Sequence, residues 1–67
     1  MTAALRRSLA NRCISQAMTE MAVADPQMPV DSAAYLLARE AALMLRTYRG
    51  KEGAAEALYA LADEAIT

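Results

Sequence analysis

Sixty-seven residues make one small domain. Thirty-eight of them are apolar, but 17 of these are alanine, and the chain has no Phe, Trp or His. That excludes a catalytic His and a His-ligated metal. It also argues against an enzyme with its own pocket, because so short a chain can hardly enclose both a core and a cavity. Seven basic against eight acidic side chains leave a net charge of −1, with no overall pull toward nucleic acid or acidic membranes.

The lone cysteine, Cys13, has no internal disulfide partner, which points to a reducing, cytoplasmic setting. No uncharged run approaches the roughly 20 apolar residues that span a bilayer. Arg6, Arg7, Asn11 and Arg12 interrupt any signal-peptide core. Residues 1–19 hold three arginines, two serines and no acid, a composition that also suits an organellar presequence, but a folded helix is the preferred reading. Arginine for lysine and abundant alanine suggest a GC-rich bacterial genome.

Proline and glycine occur in two places only, Asp25-Pro26-Gln27-Met28-Pro29 and Gly50-Lys51-Glu52-Gly53. Between them alanine, leucine, methionine, arginine and glutamate favour helix, and no alternating strand pattern appears. The expected class is all-α: a three-helix bundle, or a helical hairpin plus an N-terminal helix, completed by homodimerisation. Helices are expected at about 2–24, 32–49 and 52–66, in a single domain over 1–67.

The first helix starts at a capping Thr2. It places Ala3, Ala10, Cys13, Ile14, Ala17, Met18 and Met21 on one face, where Cys13 reads as a small buried hydrophobe. Pro26 stops it. Met28 and Val30, in the linker, read as a cap on the end of the bundle.

The second helix is expected to be capped by Asp31 or Ser32 and to end at Gly50 in a left-handed C′ position. Its main stripe is Ala33, Leu37, Ala41, Met44, Leu45 and Tyr48. Leu36 and Leu43 form a second arc roughly 100° away, bordered by Arg39 and Arg46 and continued by Tyr35 and Ala42. Two apolar arcs fit a middle helix with a neighbour on each side. They also fit a self-association seam, which the small core favours. Leu36, Leu43, Arg39, Arg46 and Tyr35 are the interface residues that reading selects.

The third helix carries a stripe of Ala54, Ala55, Leu58, Leu61, Ala62 and Ala65, with Glu52, Glu56, Asp63 and Glu64 opposite. Residues 1–51 carry a net +3 and residues 52–67 a net −4, so the chain is polarised. The short glycine-bounded connection favours an antiparallel hairpin of the last two helices. The three tyrosines read as semi-buried, with their hydroxyls at the rim.

No residue set here points to catalysis, a metal, a cofactor or a small-molecule substrate. Glu52 and Glu56 lack the Glu-x-x-His companion of helical metal sites. Arg6, Arg7 and Arg12 point in three directions at helical spacing and make no basic stripe. The expected function is a small non-enzymatic protein–protein interaction or regulatory accessory module, self-associating through its second helix. Two other readings stand beside it. One is a nucleic-acid-associated regulator using Arg39, Arg46, Arg49 and Lys51, although nucleic acid is the less expected partner. The other is a non-catalytic helical subunit of a larger enzyme.

Overall fold

The computed structural model describes all 67 residues, and the chain is all-α. Two helical elements, α1 (Ala3–Ala24) and α2 (Val30–Ile66), account for everything except the first two residues, the turn at 25–29 and Thr67. α2 is broken at Gly50, where φ is 76° and ψ is 176°, so it consists of two helical arms, 30–49 and 51–66. The chain groups into two compact units, Met1–Leu37 and Ala38–Thr67, with the boundary inside α2.

In the first unit, Thr2 caps α1 as expected: its hydroxyl accepts the Leu5 N–H at 3.2 Å. Asp25 ends α1, donating its own N–H to the Met21 carbonyl at 2.9 Å. A turn built on Asp25-Pro26-Gln27-Met28 follows. The Met28 N–H reaches the Asp25 carbonyl at 3.1 Å, with Pro26 in the second position that its fixed φ favours. The Asp25 carboxylate also accepts the Gln27 N–H at 3.3 Å, the side-chain turn that aspartate makes readily.

α2 then starts earlier than the sequence suggests. The Ala33 N–H bonds to the Pro29 carbonyl at 3.2 Å, so the helix begins at Val30 and Pro29 occupies the capping position. Asp31 is therefore a first-turn residue and not a side-chain cap. Its charge still complements the positive end of the helix dipole.

Packing in the first unit joins the last two turns of α1 to the first two of α2. Ala33 is buried, at 5% exposure, and Ala17, Met18, Met21, Met28 and Leu37 are half-buried. The expected α1 stripe is thus covered only at its C-terminal half. Ala3, Ala10, Cys13 and Ile14 stand exposed, against the expectation of a buried Cys13. The reason is length. The eight residues of α2 in this unit extend about 12 Å, against about 33 Å for α1. Met28 packs inward as expected of a cap, whereas Val30 is exposed.

In the second unit, the glycine connection is tighter than a four-residue loop. Gly50 alone departs from helix, and Lys51, Glu52 and Gly53 already belong to the second arm. Gly50 has the positive φ expected of it. Its ψ, however, is extended and not left-handed helical, a combination open essentially to glycine alone. Gly53 serves a different purpose: a Cβ there would stand 3.0 Å from the Arg49 Cβ, so the bare backbone lets the two arms start close together.

Candidate interaction surface

The arms of the Ala38–Thr67 unit fold back on each other. Leu43 and Leu58 lie seven residues before and eight after Gly50, and they would stand about 22 Å apart along a continuous helix. Both instead line one groove, together with Ala42 and Arg46 from the first arm and Lys51, Ala54 and Ala55 from the second. The arms meet through small residues. Ala54 is buried, at 4% exposure, while Ala42, Leu45, Gly53 and Ala57 are half-buried. Alanine and glycine at a contact let helix axes approach the lower end of the usual 8–10 Å.

This close edge-to-edge contact is not the one the stripes suggest. On the second arm, the covered side runs through Gly53, Ala54 and Ala57. The larger residues of the expected stripe remain open: Leu58 at 39%, Leu61 at 54%, with Ala55, Ala62 and Ala65 also exposed. On the first arm, Leu45 is partly covered, but Met44 and Tyr48 of the expected main stripe are exposed, Tyr48 at 86%. Tyr35 and Tyr59 are exposed as well, so none of the three tyrosines is semi-buried. The physical reason is that Gly50 sets how the second arm leaves the first. The chain then closes along the edges with the least side-chain bulk and leaves the bulkier apolar face outward.

Of the five residues selected as an interface, the structure brings Leu43 and Arg46 into the groove. Arg39 is exposed in the same unit, outside the groove lining. Leu36 and Tyr35 are exposed in the first unit. The groove residues that sequence reasoning did not select as interface are Ala42, Lys51, Ala54, Ala55 and Leu58. Leu58 had a usable signal, since it shares a helical face with Ala54, Ala55 and Ala62. That face is the apolar stripe expected of the third helix.

The surroundings of the groove are electrostatically simple. Every ionisable side chain in the chain is exposed, and no polar side chain is buried. A shallow polar depression on α1, lined by Arg12, Ser15, Gln16, Thr19 and Glu20, is of the same kind. There the Thr19 hydroxyl is already spent on the Ser15 carbonyl at 3.1 Å, the back-bonding usual for threonine inside a helix. No three Cys, Asp or Glu side chains converge on a point where a metal ion could be held. No helix is long and apolar enough to cross a membrane.

In comparisons with known proteins, no family model, no curated protein and no solved structure matches the chain. The surface itself therefore carries the functional argument. What it offers chemically is contact: leucines and alanines along a groove, with Arg46 and Lys51 beside them.

Proposed function

We propose that this chain is a small non-enzymatic protein-interaction module that works by associating through α2, with a second copy completing its helical bundle. The observation that carries this reading is the exposure of large apolar side chains along α2, with Leu36 at 39%, Leu43 at 47% and Leu58 at 39%. Only Ala33 and Ala54 are buried, and two alanines are a very small core for 67 residues. Apolar area left in water is stabilising only once something covers it, at about 25 cal/mol per Å². Exposed leucines that gather along a groove, as Leu43 and Leu58 do, are the kind of surface that marks interaction sites.

The test is sedimentation equilibrium at micromolar concentration, on the wild type and on a Leu36→Glu/Leu43→Glu double variant. The expected result is a wild-type mass above that of the 7.2 kDa chain and a monomeric double variant. A wild type that sediments as a monomer, or a double variant that associates as well as the wild type, overturns the reading.

A second reading rests on the exposure of Arg39, Arg46, Arg49 and Lys51, which places four cations on one stretch of α2 in reach of a polyanion. Under it, affinity for nucleic acid falls steeply with salt, because each neutralised phosphate releases counterions. A flat salt response, or no binding at low salt, removes it.

A further inference from the structure

We propose that α2 has two states, the observed hairpin and a continuous helix, and that in the continuous state its second arm packs on the first arm of a second copy, so that two chains exchange arms. This goes beyond the self-association of folded copies and does not depend on it.

Both glycines of the Ala38–Thr67 unit are needed by the hairpin and not by a continuous helix. Gly50 holds φ 76° and ψ 176°, a combination that glycine alone adopts without strain. A Cβ on Gly53 would stand 3.0 Å from the Arg49 Cβ. In an unbroken helix those positions are four residues apart, where Cβ atoms are separated by about 5–6 Å, and the crowding vanishes. Gly50 is the one residue of α2 whose backbone is not helical, so its two dihedral angles separate the two states.

The structure shows what covers the inner edge of each arm: it is the other arm. Ala54 is buried there, and Ala42, Leu45, Gly53 and Ala57 are half-buried. The side-chain hydrogen bonds of the unit, from Thr47 to the Leu43 carbonyl and from Thr67 to the Asp63 carbonyl, each stay within one arm. The contact is therefore made of small apolar groups, and the identical arm of a second copy supplies the same groups. On a continuous helix Ala42, Leu45, Gly53 and Ala57 fall within about 120° on one face, with Ala54 at its flank. Two such helices laid antiparallel remake the contact between the arms twice. Exchange of an identical element is a low-cost route to a dimer, and a short hinge under backbone strain promotes it. The opposing cost is the freedom lost on association, so the hairpin is favoured in dilute solution and the exchanged pair at high concentration.

The test compares synthetic chains by sedimentation equilibrium: the wild type, a Gly50→Ala/Gly53→Ala double variant, and a chain with D-alanine at position 50. The double variant strains the hairpin and suits the continuous helix, so its dimer affinity should rise at least about tenfold. D-alanine accepts positive φ and opposes a right-handed helix, so that chain should keep the hairpin and show no gain. A distance then separates arm exchange from the pairing of closed hairpins. Nitroxides on Leu43→Cys and Leu58→Cys, in a Cys13→Ser background and diluted into unlabelled chain, report on one molecule at a time. They should stand about 22 Å apart in the double variant, and close together, across the groove that both positions line, in the D-alanine chain. Circular dichroism should show helix retained in every chain.

A double variant that associates no more than the wild type overturns the exchange, whatever the wild type does. So does one that dimerises with its labels still close, since closed hairpins are then pairing, and so does one that loses helix. A monomeric wild type beside a dimeric double variant with the 22 Å separation, the helix rise set out above, removes the self-association of folded copies and leaves the exchange standing.

Discussion

At the residue scale, Gly50 is the position on which the second unit depends. Its backbone, at φ 76° and ψ 176°, lies where a Cβ is not tolerated without strain, although nothing else crowds the site within 4 Å. Gly50→Ala should therefore lose about 1–3 kcal/mol of stability from backbone strain alone. The same position built with D-alanine should recover most of that loss, because a D residue accepts positive φ. Urea unfolding of the synthetic chains, followed by circular dichroism, checks the pair. Equal midpoints for the L- and D-alanine forms would show that positive φ at this position is not required. Capping is a smaller matter at the same scale. Thr2 was readable as a cap because a short oxygen-bearing side chain before an alanine-rich run has an obvious N–H to accept. Asp31 was misplaced by the same rule, since proline at 29 already starts the helix and leaves the aspartate inside its first turn.

At the element scale, the contact between the two arms of α2 is made of alanine and glycine. Ala54 is covered almost completely, so Ala54→Leu adds three carbons where the arms are closest and should cost about 1–3 kcal/mol. Ala60→Leu, at an exposed helix position, should change stability by less than about 0.5 kcal/mol. Thermal unfolding of the two variants side by side distinguishes a true close approach from a loose one, because a loose hairpin would tolerate both equally. Periodicity located the helices within a residue or two, since proline, glycine and capping residues act through local backbone geometry. It did not locate the covered faces. The second arm has two candidate inner edges, Gly53–Ala54–Ala57 and Ala54–Leu58–Leu61, and both are apolar. The hydrophobic pattern favours the bulkier edge. The chain closes along the smaller one, because a single-residue break brings the arms together too tightly for leucine to lie between them.

At the scale of the whole molecule, the balance of covered and uncovered surface is what connects the fold to the proposed function. A chain whose buried residues are two alanines has little to stabilise it alone. Any copy or partner that covers the leucines adds its binding free energy to folding. The unfolding midpoint should therefore rise with protein concentration, by several degrees between about 1 and 100 μM for a domain of this size. A midpoint independent of concentration would mean that the folded monomer is self-sufficient. Of the five side chains selected as an interface, Leu43 and Arg46 do share the groove, and their placement three residues apart, arginine bordering the leucine arc, was visible in the sequence. Their companions Leu58 and Lys51 were not, because they come from across Gly50, and nothing local says which side of one arm will lie beside the other.

The sequence alone determined that the chain is helical, where its helices end, that it has no histidine or strong net charge, and that it carries more apolar arcs than three short helices need. These follow from composition, from 3.6-residue periodicity and from the backbone limits of proline and glycine, all of which act within a few residues. Tertiary structure decided which arcs are used. It placed Ala33 and Ala54 inside, left Cys13, Tyr48 and Leu58 in contact with solvent, and built one groove from two arms. That choice depends on the direction in which each helix leaves a turn, and direction is set by the two dihedral angles of Gly50 and by how closely small side chains let backbones approach.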